Sequence, residues 1–246
     1  MTAPDGYFGE DVAERYDDGS WEMFSPEVLE PTVELLVELA RGGRALELGI
    51  GTGRVALPLA ERGVEVSGID LSRAMVAKLR EKPGGDRIPV EIGDFASTRV
   101  DGTFTLAYLV FNTINNLTAQ DEQVACFRNA AAHLEPGGSF LIEVGVPQLQ
   151  RLPPGETAQP FTVTPTRLGF DEYDVVHQGL VSHHYWLAGD GRFESLSMPF
   201  RYVWPAELDL MARLAGMRLR DRWAGWTKEP FTAESRSHVS IWQAQG

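Results

Sequence analysis

The stretch from Arg44 to Asp70, RALELGIGTGRVALPLAERGVEVSGID, constrains the fold more than any other part of the chain. Ala45-Leu46-Glu47-Leu48 is an apolar run broken by one carboxylate. Gly49, Gly51 and Gly53 follow at alternate positions. A helical pattern then runs through Val55, Leu57, Leu59 and Ala60. A short β-branched run, Val64 to Ile69, ends in Asp70. The order strand, glycine turn, helix, strand, acid is half of a mononucleotide-binding unit. Glycines allow a tight turn and let a ligand lie against the backbone. A carboxylate ending the second strand can accept both hydroxyls of a ribose.

Two kinds of protein use this device. Gly51-Thr52-Gly53-Arg54-Val55-Ala56 fits the dinucleotide pattern G-x-G-x-x-A, which would make the chain an NAD-binding oxidoreductase. Glu47 followed by Gly49-Ile50-Gly51-Thr52-Gly53 resembles motif I, E-x-G-x-G-x-G, of the class I S-adenosylmethionine-dependent methyltransferases. Glu47 favours the second family, because an acid inside a buried strand is costly without a partner. An ordinary αβ turn with no ligand is the plain alternative.

The rest of the chain follows the same order. Asp11 to Asp17 reads as a short helix in an aromatic arm, residues 1–25, and Ala-x-x-Tyr-Asp ahead of motif I resembles the family's N-terminal element, a lid over the cofactor. A broad apolar face from Val33 to Ala40 marks the next helix, which Gly42-Gly43 ends. Ser72 is a good N-cap for a helix through Met75, Val76 and Leu79. Pro89 to Phe95 reads as a strand ending in Gly93-Asp94-Phe95. Phe104 to Asn112 is a nearly continuous apolar run that suits a central strand buried on both faces. Ligands of open α/β sheets bind at such carboxyl ends, so Asn112, Asn115 and Asn116 are candidates to orient cofactor or acceptor. After the helix Asp121 to Leu134, Pro136-Gly137-Gly138 resembles the family's turn before strand five, Ser139 to Val144.

Residues 147–165 hold five prolines and read as an irregular connector. Phe170 to Val176, Leu180 to Leu187 and Arg192 to Phe200 then read as an antiparallel meander, with turns at Gln178-Gly179 and Ala188-Gly189-Asp190-Gly191. Pro205 starts a helix, and two strands close the chain.

The expected fold is therefore α/β: a Rossmann-like, seven-stranded mixed sheet with the last strand antiparallel, helices on both faces, and an antiparallel β insertion after strand five. Residues 26–146 and 205–246 would form the cofactor domain, and 147–204 a cap over the acceptor pocket. The insertion's placement is similar to that in small-molecule methyltransferases such as amino-sugar N-methyltransferases.

The resemblance implies S-adenosylmethionine as cofactor and S-adenosylhomocysteine as product. It implies cofactor contacts from Tyr16, Trp21, Glu47, Gly49, Gly51, Gly53, Asp70, Leu71, Met75, Gly93, Asp94, Phe95, Phe111 and Asn112. Within that set Asp70 would take the ribose and Asp94 the adenine amino group. His183 and His184 in the meander are candidate general bases. Neighbours in a strand point to opposite faces, so at most one can face the pocket. A non-catalytic protein that binds the same cofactor remains the rival class.

Composition limits the partners. The chain of 246 residues has a formal charge of −13, which repels phosphate backbones and anionic lipid, so neither nucleic acid nor membrane is an expected partner. The expected partner is a small-molecule methyl acceptor, and the insertion is the surface through which a homodimer would form. A single cysteine, Cys126, excludes an internal disulfide and a cysteine-based zinc cluster, and no metal is expected. No apolar run approaches the roughly eighteen residues of a membrane helix, and no signal-peptide pattern opens the chain, so a cytoplasmic protein is expected. The Ala-, Arg- and Gly-rich composition suits a high-GC bacterium, in which specialised metabolism is a frequent role.

Overall fold

Alternating apolar strands flanked by helical patterns fold into a three-layer αβα body with a second, smaller sheet. The computed structural model describes residues 5–17, 23, 25–189 and 191–245. Helix α1 (Glu10–Tyr16) belongs to the N-terminal arm, and α2 (Pro26–Ala40) opens the main body. The elements β1 (Arg44–Leu48), α3 (Ala56–Glu61), β2 (Glu65–Asp70), α4 (Arg73–Glu81), β3 (Val90–Ile92) and β4 (Phe104–Leu109) follow. Then come α5 (Gln120–His133) and β5 (Leu134–Gly145). The smaller sheet holds β6 (Ala158–Val163), β7 (Arg167–Asp174), β8 (Gly179–Leu187) and β9 (Phe193–Arg201). Helix α6 (Pro205–Leu214), β10 (Met217–Trp223) and β11 (Ser237–Ala244) close the chain.

The large sheet has seven strands in the order β10-β11-β5-β4-β1-β2-β3, with β11 antiparallel to both its neighbours and β1 to β5 mutually parallel. Strand alternation divides its core in two. Leu46, Leu48, Ala107, Leu109, Phe140 and Ile142 face α5 and α6, whereas Ala45, Leu106, Tyr108, Leu141 and Ile241 face α2 and α3. Burying each such Leu, Ile or Phe contributes about 1.5–3 kcal/mol. Phe127, Phe140 and Trp242 stack edge-on at one end, with ring centroids 5.1 and 5.3 Å apart for the two pairs that Phe127 makes.

Three expectations are corrected here. The proline-rich connector contains regular structure: β6 pairs antiparallel with β7, so the small sheet has four strands in the order β6-β7-β8-β9. Pro160 is tolerated because β6 is an edge strand, and the ladder shifts register between Pro160 and Thr162, where an N–H is missing. The Pro-Gly-Gly segment is not a turn ahead of strand five. Leu134 already pairs with Phe104 and Ser139 with Leu106, so residues 135–138 bulge out of one continuous strand. The third parallel strand is also shorter than read, because the backbone turns at Gly93.

The small sheet follows β5 and precedes α6. A buried polar cluster fastens its last strand to the main body. Arg201 donates to Glu207 at 2.7 Å and to the side-chain oxygen of Gln123, and Gln178 and Gln120 donate to Glu207 at 2.8 and 2.7 Å.

Candidate active site

Motif I forms because three glycines accept backbone angles that other residues avoid. Gly49, Gly51 and Gly53 have φ of 77°, 56° and 78°. Their roles differ. A Cβ on Gly53 would lie 2.3 Å from Leu79 Cδ1, so this glycine lets the turn pack on α4. A Cβ on Gly51 would meet only Met75 Cε, at 3.4 Å, so its backbone faces open space. The Gly51 amide donates to Asp70 Oδ2 at 2.6 Å and the Ser72 amide to Oδ1 at 2.8 Å. Burial raises the Asp70 pKa, and these two amides oppose the shift.

Glu47 is buried on β1, where Tyr108 Oη donates to Oε2 at 3.0 Å. Burial pushes its pKa up to about 8 against the pull of Tyr108 and Arg54. Because the folded value exceeds the unfolded one, the neutral acid suits the fold. Stability from this group is full below about pH 4.5 and is lost as pH rises through about 8. Without ligand, wild type is expected to lose on the order of a few kcal/mol across that window relative to Glu47→Gln, at about 1.4 kcal/mol per unit. Urea unfolding of both proteins against pH checks this, and parallel profiles would refute it.

The arm lies across this turn. Thr52 Oγ1 donates to Asp17 Oδ1 at 2.7 Å, and Lys82 Nζ sits 2.5 Å from Asp17 Oδ2. Ser72 Oγ donates to the Phe8 carbonyl at 2.6 Å, and the Arg73 amide to Asp5 Oδ1 at 2.8 Å. Leu71 lies beneath Gly6. Burial pushes the Tyr16 phenol up to about 12, in the field of Arg54, Asp70, Asp17 and Glu47. Trp21 lies outside the described residues.

At the end of β4 two successive non-glycine residues, Phe111 and Asn112, take φ of 56° and 59°. Such angles cost about 1–2 kcal/mol per residue and concentrate at functional sites. Strand β5 holds them. The Phe111 amide donates to Glu143 Oε2 at 2.5 Å, the Asn112 amide to the Glu143 carbonyl at 3.2 Å, and the Gly145 amide to Asn112 Oδ1 at 2.7 Å. The Arg54 guanidinium lies 5.6 Å from the Phe111 ring centroid. Burial raises the Glu143 pKa.

A cavity of about 350 Å³ joins these parts. Phe8, Tyr16 and Met23 line it from the arm, Phe111 to Asn116 from the end of β4, and Asp171, Ser182, His184 and Phe200 from the small sheet. The small sheet thus lies over the carboxyl edge as a cap. Helix α1 also touches the cap, through Arg15, which is 3.5 Å from Glu194 and 5.9 Å from the Trp186 ring centroid.

Alternation along β8 separates the two histidines. His184 lines the cavity, with Nε2 3.2 Å from Ser182 Oγ. His183 points to the other side of the cap, where it stacks on Phe170 at 4.7 Å and meets Ser197 Oγ at 2.8 Å, so it is not the base candidate. Gly93 donates to the Asp70 carbonyl at 2.9 Å, and Asp94 spends Oδ1 on the Ala96 amide at 2.8 Å. Phe95 is buried in the core beside Gly49, and Met75 is buried below Gly51. Sequence reading passed over Arg54, Glu143 and Asp171. Among the described residues, no group of three or more His, Cys, Asp or Glu side chains is placed to hold a metal ion, and no helix is long and apolar enough to cross a membrane.

Comparison with known proteins decides between the families. Residues 45–138 match a methyltransferase domain family. The CcbJ methyltransferase from Streptomyces caelestis superposes with a TM-score of 0.87 at 36% identity, over 99% of this chain and 100% of that one. The chain belongs to the class I S-adenosylmethionine-dependent methyltransferases. This methyltransferase is also 29% identical to a cypemycin N-terminal methyltransferase from Streptomyces sp, over 83% of the chain and 84% of the relative. It shares its fold with SAM-bound CalS10, an amino pentose methyltransferase from Micromonospora echinaspora, at a TM-score of 0.73 and 21% identity over 95% and 97% of the two chains. It is an enzyme of the small-molecule type that uses S-adenosylmethionine, and the NAD-binding and non-catalytic readings fall. The residues suit that cofactor: Gly51 leaves room at the turn for a nucleoside, Asp70 presents a carboxyl at the end of β2 for ribose hydroxyls, and the buried acids Glu47 and Glu143, whose pKa burial raises, would be drawn to ionise by a sulfonium cation.

Proposed function

We propose that this enzyme methylates nitrogen in a small amine, a specialised metabolite, held between the nucleotide-binding sheet and the cap. The observation that carries the reading is the base available in the cavity. His184 is the histidine among the described lining residues, and burial, followed by the nearby Arg167, lowers its pKa. A neutral imidazole is a weak base. It suits an amine, which attacks through its own lone pair and releases a proton afterwards, better than an alcohol, which needs a stronger base. The cypemycin relative is named for an N-terminal methyl transfer.

S-adenosylmethionine supplies an activated methyl on a sulfonium. The chain's own residues do the rest. Asp70 accepts from the ribose hydroxyls, Asp94 from the adenine amino group through its second oxygen, and Glu47 with Arg54 sets the charge near the methionine end. Tyr16 and the arm close over the turn and exclude water. Phe111 and Asn112, fixed by Glu143, form the floor on which the acceptor nitrogen is aligned. An amine held here would attack through its free lone pair, and His184 would take the proton that the methylated nitrogen then sheds.

Incubation with isotope-labelled methyl donor and a panel of amines and alcohols tests the reading. Label recovered on nitrogen supports it, and label found solely on oxygen or carbon refutes it. Asp70→Ala is expected to weaken S-adenosylmethionine binding by about 1.5–3 kcal/mol, the contribution of hydrogen bonds to a charged acceptor. Unchanged affinity by calorimetry would sink the ribose assignment.

A further inference from the structure

We infer that Asp171 is the specificity-determining residue of the cap: its carboxylate forms a cation subsite that selects acceptors bearing a positive charge at working pH on a group other than the nitrogen that is methylated. The inference rests on the proposed acceptor cavity.

The argument begins with charge. Among the described residues lining the cavity, Asp171 is the one carboxylate, and none is lysine or arginine. Its hydrogen-bond partner is the Ser182 hydroxyl on the neighbouring strand, directly opposite in the ladder. One neutral donor does not offset the removal of a carboxylate from water, and a carboxylate so placed gains strongly from a cation. The chain does not supply that cation from inside the cavity. His184 is held toward its neutral form by burial, and its Nε2 faces Ser182 Oγ, so it completes a line of polar groups running Asp171, Ser182, His184. His183 is on the other face of the cap, stacked on Phe170, and acts on Asp171 through the sheet as the smallest of the influences on that carboxyl, without entering the cavity.

The surroundings of Asp171 agree. Tyr173 and Phe200 line the cavity on the same face of the cap, and aromatic faces attract a desolvated ammonium. On the opposite wall, Asn115 is 9% exposed, and its side-chain oxygen is buried without a hydrogen-bond partner. An anionic acceptor would meet Asp171 as a like charge. The overall charge of −13 draws cations toward the protein in the same sense.

The test uses the full chain saturated with S-adenosylhomocysteine and three probes of one shape: 2-phenylethylammonium, 2-phenylethanol and phenylacetate. Calorimetry should show the ammonium binding about tenfold or more tighter than the alcohol, as a charge-assisted hydrogen bond provides, and the carboxylate weakest. In Asp171→Asn the preference should collapse to about parity while S-adenosylhomocysteine affinity stays at the wild-type value. Ser182→Ala should keep the preference, since the charge is retained. An ammonium that fails to bind at millimolar concentration, equal binding of the three probes, or an unchanged preference in a folded Asp171→Asn protein would each overturn the inference. The two readings fail separately. Methyl transfer to oxygen with the ammonium preference intact refutes N-methylation and leaves Asp171 assigned, whereas lost discrimination refutes Asp171 whichever atom is methylated.

Discussion

Glu207→Ala is expected to destabilise the protein by about 3–5 kcal/mol, the range for breaking a buried pair and stranding its partner. Arg201 is 5% exposed at the end of β9, and its guanidinium spends one nitrogen on Glu207 and another on Gln123. Without the carboxylate, the largely buried charge keeps the neutral Gln123 oxygen as its acceptor. Gln120 and Gln178 lose this acceptor as well, although Gln178 keeps the Tyr202 carbonyl. The pH dependence has a definite sign. Burial opposes ionisation of Glu207, but donors from Arg201, Gln178 and Gln120 outweigh it and hold the pKa below the ordinary value. Its contribution is therefore complete above the unfolded carboxylate range and is lost as pH falls through the lower folded value. Urea unfolding at neutral and acid pH measures both effects. A loss under about 1 kcal/mol, the size of an exposed pair, would mean the cluster is solvated.

Turnover should fall by about 10²–10⁴-fold in His184→Ala, the usual contribution of a positioned general base. His183→Ala should keep it, because that ring lies on the far side of the cap against Phe170 and Ser197. Cofactor affinity should be unchanged in both, as Asp70 and the glycine turn are untouched. The comparison is internal: the two residues are adjacent in sequence and alike in chemistry, and differ in which side of β8 they occupy. Single-turnover rates with an identified acceptor separate the chemical step from product release. If His184→Ala retains the wild-type rate, alignment alone carries the catalysis and the proton leaves to water.

The nucleotide-binding half was legible because its constraints are local. Three glycines, an acid two residues ahead and an acid closing the next strand fix a turn without reference to the rest of the chain. The order of elements then dictated the sheet, since right-handed crossovers leave few alternatives. What could not be read depends on contacts between distant segments. Arg54 follows the glycine turn and Glu143 lies on β5, and only the folded sheet brings both to Phe111. Asp171 is an unremarked acid in a strand until β8 places Ser182 beside it. The spacing of His183 and His184 showed that one at most could face the pocket. Which one depends on the side of the cap that covers the sheet, a tertiary fact. The strand at Ala158–Val163 was hidden by prolines, which argue against a strand except at an edge, and edge position is not written in the sequence.

The cap is a single uninterrupted length of chain. It leaves the sheet after Gly145 and returns at Pro205, where α6 begins. Its last strand is fixed by Arg201 and, from the preceding turn, by Gln178, both converging on Glu207. Such a layout separates inheritance of the two halves of the reaction. The residues proposed to hold the methyl donor are scattered over the parallel sheet. On the proposed reading, the cap could be exchanged between relatives at these two points provided the incoming segment brings an arginine and a glutamine to meet Glu207, which stays behind on α6. Such an exchange would replace Asp171, Ser182 and His184 together and leave the glycine turn and Asp70 untouched.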